Sequence, residues 1–188
     1  KSGALTAGMN ALVQDALAEL EAETASTPAV APVLLIPRVL PLELCQGLID
    51  GFESWRPQPS PMPSEDGLAV DAERKARDDA FIEDERMDKE ITFSIAHRVL
   101  PEISKAFAYA ATRLERLKLV RYRATESGHF GAHRDNTAPA TAHRRFALTL
   151  NLNAGAYEGG ALAFPEYGPA CVYDVPAGSA LVFACAHA

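Results

Sequence analysis

The chain has 188 residues, 48% of them hydrophobic, a length and composition that suit one packed domain plus an extension. A formal charge of −7 argues against a surface built for general nucleic-acid or anionic-membrane binding, and neither a transmembrane run nor a secretory signal is visible. Three cysteines, Cys45, Cys171 and Cys185, are odd in number and lack Cys-x-x-Cys spacing, which disfavours a disulfide framework or a zinc knuckle and favours a reducing, cytoplasmic compartment. The sequence opens at Lys1 rather than Met, so it is expected to be a piece of a longer polypeptide, with room for a further domain upstream.

Over residues 8–23 the apolar positions Met9, Leu12, Val13, Ala16, Leu17 and Leu20 recur at helical spacing, which predicts an amphipathic helix. Residues 24–32, rich in Ala, Thr and Pro, read as a linker, so the chain divides into an N-terminal helix and linker (1–32) and a main domain (33–188). Residues 33–36 suit a short buried strand, and 41–54 a helix opened by Pro41 and lined by Leu44, Leu48, Ile49 and Phe52. Pro57, Pro59, Pro61 and Pro63 then forbid helix and predict an extended, solvated loop. The mixed charges of residues 71–90 read as a solvated face with surface ion pairs, or alternatively as part of a lid over a site. Helical periodicity returns over 91–100 and 102–117, with Pro101 suited to a first turn.

From Leu119 the period changes to two. Short strands are predicted at 122–123, 130–133, 146–152, 161–164, 171–175 and 180–183, separated by Gly, Pro and Asn turns. Helices first and many short strands after predict an α+β fold, with the strands forming a double-stranded β-helix, or jelly roll, and the N-terminal helices supporting it. Gly159-Gly160 is followed by another strand rather than by a helix, so it reads as a hairpin turn and not as a phosphate loop.

The chemistry concentrates in Gly128-His129-Phe130-Gly131-Ala132-His133-Arg134-Asp135 and, near the end, in Phe183-Ala184-Cys185-Ala186-His187. On an extended strand, side chains alternate faces, so His133 and Asp135 would project to one side and Arg134 to the other. Later strands could return His187 to the same place. Two imidazoles and one carboxylate on one face of an octahedral ion leave the other positions open, the ligand arrangement of non-haem Fe(II) oxygenases. Of the remaining histidines, His129 and His143 are expected near the rim as non-ligands and His97 as structural. Glu126 is expected as a loop residue.

Order strengthens this reading. After Tyr122 and the His133-x-Asp135 pair come Arg145-Phe-Ala-Leu-Thr-Leu-Asn-Leu-Asn153, Glu158-Gly-Gly-Ala-Leu-Ala-Phe-Pro165, Pro176-Ala-Gly-Ser-Ala-Leu-Val-Phe183 and His187. This succession resembles the prolyl-4-hydroxylase-like branch of the Fe(II)/2-oxoglutarate dioxygenases, in particular the PKHD-type hydroxylases. The resemblance implies Fe(II) held by His133, Asp135 and His187, with 2-oxoglutarate as co-substrate and Tyr122 facing it; ascorbate is a further cofactor candidate. It implies dioxygen and a peptide or small amino-acid-like molecule as the partners of a C–H hydroxylation. It also implies a cation for the far carboxylate of 2-oxoglutarate on a strand after the distal histidine, past Ala188, with Arg144 and Arg145 the nearest substitutes in this sequence. Two other classes compete: a cupin-like metal-dependent hydrolase or isomerase, and a degenerate oxygenase fold acting as a binding module in a larger chain.

Overall fold

A computed structural model describes Gln14, residues 30–64 and residues 67–186. The helix expected over 8–23, most of the 24–32 linker and His187 lie outside the described residues. The main domain begins with β1 (Val33–Ile36), followed by α1 (Leu42–Gly51), which starts at Pro41 in extended backbone and buries Leu44, Cys45 and Leu48. Proline suits a helix start because the donors of the first turn have no intrahelical acceptor in any case. A 3-10 turn (Phe52–Trp55) buries both aromatic rings. There follow β2 (Gln58–Pro59), β3 (Met62–Ser64), β4 (Gly67–Ala69), β5 (Lys75–Ala76) and β6 (Asp78–Phe81).

Next, α2 (Glu85–Ser94) is capped by Asp84, whose carboxylate accepts from the N–H groups of Arg86 and Met87. It runs without interruption through a π-helical segment (Ile95–Val99) into α3 (Leu100–Phe107). Pro101 explains the π segment: in a regular helix its ring would strike the carbonyl of residue 97 and its missing N–H would leave a gap. The ladder slips one residue beforehand, with Leu100 N–H donating to Ile95 O, and the helix continues. The strands β7 (Lys118–Arg121), β8 (His129–Phe130), β9 (Phe146–Leu150), β10 (Leu162–Ala163), β11 (Val172–Tyr173) and β12 (Ala180–Ala184) complete the chain.

All the strand pairings among the described residues are antiparallel. The ladders are β1-β12-β9, β2-β6-β7, β10-β11, β3-β4 and β5-β8. In the first, β12 is central and its side chains alternate between two apolar clusters. Ala180 and Val182, with Leu34, Ile36, Leu148 and Leu150, pack against the helices. Leu181 and Phe183, with Val33, pack on the opposite face against Phe164, Cys171, Val175, Leu162 and Tyr173 from the β10–β11 region. One face of this sheet is thus backed by helices and the other is covered by strands and turns, an α+β arrangement.

Several sequence expectations need correction, among them the strand at 122–123, since β7 (Lys118–Arg121) ends just before it. The charged stretch 71–90 is not only surface: β6 lies at the centre of a three-stranded sheet, Ala80 and Ile82 belong to the core, and Lys75 and Asp78 are buried. Its charges are tolerated because they pair across the strands, as Asp78 does with Arg121 at 3.0 Å and Arg123 at 2.8 Å. The helix expected over 102–117 stops at Phe107, where Ala108 adopts the left-handed conformation (φ 50°, ψ 37°).

Candidate metal centre

The site begins where β7 ends. Tyr122 leaves the sheet, a 3-10 turn (Ala124–Glu126) closes with Ser127 left-handed, and Gly128 N–H donates to Arg123 O at 2.8 Å. A Cβ on Gly128 would lie 2.7 Å from Arg123 N, so this tight return admits only glycine. The chain then pairs β8 with β5 in the register Lys75↔Phe130 and Ala76↔His129. Gly131 N–H donates to Arg74 O at 2.8 Å, and there the ladder stops. The strand expected over 130–133 therefore ends at Phe130, because β5 has only two residues to offer as partner.

His133 and Asp135 lie in the loop that follows, and strand alternation is not what aligns them. They meet all the same: His133 Nε2 is 3.1 Å from Asp135 Oδ1. His133 Nδ1 lies 2.8 Å from the Gly131 carbonyl oxygen, and its ring stacks on Phe130 with centroids 3.8 Å apart. A carbonyl only accepts, so Nδ1 carries the proton. In a neutral ring Nε2 then presents a lone pair to a carboxylate oxygen, an arrangement that needs a cation between or beside the two atoms. A proton on Nε2 meets the need in the free protein. The hydrogen bond to Asp135 accordingly raises the His133 pKa, and the same bond lowers that of Asp135. A divalent metal would meet the same need with the same donor atoms. Among the described residues no third His, Cys, Asp or Glu joins them.

Arg134, between the two, points elsewhere and ties the loop down. Its Nε donates to Ala186 O at 2.6 Å and its Nη2 to Glu166 at 2.7 Å. Cys185 N–H donates to Arg145 O at 3.0 Å, so the chain leaving β12 stays beside the start of β9. Burial, and then the nearby Asp135 charge, push the Cys185 thiol up to about 11, which keeps it neutral and unreactive.

Tyr122 is half exposed, and its hydroxyl accepts a hydrogen bond from Arg77 Nη1 at 3.1 Å. The Arg77 guanidinium also sits 5.0 Å from the Phe130 ring centroid, and Lys75 Nζ 4.7 Å from it. Lys75 and Arg77 escaped the sequence reading, which placed Arg134 opposite the pair but assigned neither it nor Phe130 a task. The one available signal was Lys75-Ala-Arg77, two cations on one side of an extended segment, lost within a stretch of mixed charge.

The remaining expected residues are occupied elsewhere. Both ring nitrogens of His129 face carbonyl oxygens, of Ser127 and Glu73, each at 2.9 Å. His143 lies 3.2 Å from Glu115, His97 stacks on Phe93 in the π segment, and Glu126 pairs with Arg123 at 3.0 Å. Arg144 is committed to Glu115 through two bonds of 2.8 and 2.7 Å, while Arg145 is exposed at the start of β9.

An α+β domain with a helix-backed antiparallel sheet, and a His-x-Asp loop beside the end of its central strand, defines the class of molecule. Among solved structures the chain is similar to the crystal structure of a Pseudomonas putida prolyl-4-hydroxylase, with a TM-score of 0.52 and 17% identity over 82% of this chain and 81% of that one. At that identity the likeness is one of fold, and the fold is prolyl-4-hydroxylase-like. No protein-family model and no curated protein sequence matches the chain. No helix among the described residues is long and apolar enough to cross a membrane.

Proposed function

We propose that this chain is an Fe(II)- and 2-oxoglutarate-dependent hydroxylase, with His133, Asp135 and His187 as the metal ligands. The observation that carries the reading is the facing of His133 Nε2 and Asp135 Oδ1 at 3.1 Å, a donor pair that a divalent ion could bridge in place of the proton. Support comes from Arg134, which anchors this loop to Ala186, the residue before His187. The shared fold with a prolyl-4-hydroxylase makes a prolyl or other amino-acid side chain in a peptide the leading substrate, and a small amino-acid-like metabolite the next. The PKHD-type branch, the double-stranded β-helix and residues 33–188 as the oxygenase domain, with 1–32 as its extension, belong to the same reading.

In this reading each residue has a defined task. The Nδ1–H bond to Gly131 O fixes the His133 tautomer that leaves Nε2 free to ligate. Asp135 supplies the negative charge. Tyr122 offers its hydroxyl to a co-substrate carboxylate and is held in place by Arg77. When bound, Fe(II) with 2-oxoglutarate and dioxygen supplies the oxidising power to hydroxylate an unactivated C–H bond. Iron content and succinate formation from 2-oxoglutarate test the proposal. The wild type should bind one Fe(II) and form succinate, and Asp135→Ala should lose both. Iron binding without succinate would favour a metal-dependent hydrolase or isomerase; no iron at all would favour a binding module.

A further inference from the structure

We propose that Arg134 and Glu166 form a clasp that positions His187, the third ligand of the metal centre, by holding the peptide unit that precedes it. This rests on the metal site of the hydroxylase reading and adds to it two residues that are not themselves ligands. The Arg134 guanidinium meets acceptors from two other parts of the fold: Nε donates to Ala186 O at 2.6 Å, and Nη2 to Glu166 Oε2 at 2.7 Å. A peptide unit is planar, so a grip on the Ala186 oxygen also constrains the Cα that follows it. Cys185, one residue earlier, is 1% exposed and is tied separately by its N–H to Arg145 O at 3.0 Å. Two consecutive residues leaving β12 are therefore held, one by the start of β9 and the next by the metal loop.

Glu166 is the fixed post of the clasp. It sits in the 3-10 turn Pro165–Tyr167, closed by Tyr167 N–H donating to Phe164 O at 3.0 Å and Gly168 N–H to Pro165 O at 3.1 Å. Phe164, at the base of this turn, is 1% exposed and anchors it in the core. Arg134 stands between His133 and Asp135 in the chain, so a single side chain couples that pair to the approach of His187. An arginine suits the task because its planar fork meets two acceptors at once, where an ammonium is a single point of charge. The Arg134 and Glu166 side chains are 51% and 28% exposed, and ion pairs of that kind add little to the stability of a fold. The contribution of the clasp is orientation, since a ligand already in place costs less to order when the metal binds.

Calorimetric titration with Ni(II), which such donors bind more tightly than Mn(II) or Fe(II), tests this in a double-mutant cycle with His187→Ala. In the otherwise wild-type chain, Arg134→Met should weaken Ni(II) binding about tenfold, the lower end of what ligand-orienting partners contribute. In the His187→Ala chain, with free imidazole supplying the third ligand, the same substitution should change the affinity by no more than about twofold. Arg134→Lys, which can reach one acceptor but not both, should recover part of the loss. Glu166→Ala, a change outside the metal loop, should repeat the pattern, and it decides the matter should Arg134→Met fold poorly. An equal loss in both backgrounds would overturn the positioning role and leave Arg134 as a prop of the His133–Asp135 loop. Wild-type affinity in Arg134→Met and Glu166→Ala would overturn the clasp alone, whereas a wild type that binds no Ni(II) would overturn the metal centre and the clasp with it.

Discussion

At the scale of the residue, the His133–Asp135 pair makes a prediction about pH in the metal-free protein. The folded pKa of His133 is raised above its ordinary 6.5, so its contribution to stability is present below that value and lost as pH rises through the folded one. The folded pKa of Asp135 is depressed below its ordinary 3.8, so its contribution is present above that value and lost as pH falls through the folded one. Asp135→Ala should therefore destabilise the metal-free chain most in the interval between 3.8 and 6.5, with the deficit shrinking on either side. Urea unfolding of both proteins across that range checks this, and a deficit independent of pH would refute it. Asp79 should show a one-sided effect. Burial raises its pKa, but the Ser60 hydroxyl and the cations Arg77, Lys75 and Lys118 outweigh burial and hold it down. Asp79→Asn should cost about 1.5 to 3 kcal/mol at neutral pH, the worth of hydrogen bonds to a charged group, and progressively less as pH falls through the folded Asp79 value. His133 and Asp135 were legible in the sequence because their types and spacing are the signal. Lys75 and Arg77 were not, because a cation becomes unusual only once it is known to be buried.

At the scale of the element, the turn into β12 carries the largest local constraint. Gly178 has φ +73°, and a Cβ there would lie 2.5 Å from Leu40 O. Its N–H donates to Asn151 O at 2.7 Å and its carbonyl accepts from Leu40 N–H at 2.9 Å, so it joins β12, the end of β9 and the approach to α1. Gly178→Ala should lower stability by about 1 to 3 kcal/mol for the backbone strain alone, more if the clash shifts β12, and the melting temperature measures it. Element types were easier to read than their ends. The helix of 41–54, the strand of 33–36 and the strands expected at 146–152, 161–164, 171–175 and 180–183 came through in type because their apolar residues repeat at the right period. Phe107 ends α3, and β8 stops at Phe130, for reasons of pairing and backbone conformation that periodicity does not contain. The strands β5 and β6 were missed because Asp78, Asp79 and Lys75 are poor strand formers in isolation and are rescued by cross-strand partners.

At the scale of the whole molecule, β12 divides two apolar clusters and then delivers the chain to the His133–Asp135 loop, where Arg134 holds Ala186. Leu181, with no exposed surface, faces the cluster of Phe164, Cys171 and Val175. Leu181→Ala should cost about 2 to 5 kcal/mol and, through β12, weaken metal binding; unfolding with and without Mn(II) separates the two effects. Mn(II) at a hundred times its dissociation constant should stabilise the wild type by about 2.7 kcal/mol and Asp135→Ala far less; equal stabilisation would place the ion elsewhere. The sequence by itself determined the α+β content and the His133-x-Asp135 motif, because period and residue type are local properties. Only the tertiary structure decided that β12 is central, that Arg134 fastens the loop to Ala186, and that two cations stand beside Phe130. Each of these depends on which distant segments share a ladder, and pairing between strands far apart in the chain is set by the packing of the whole core.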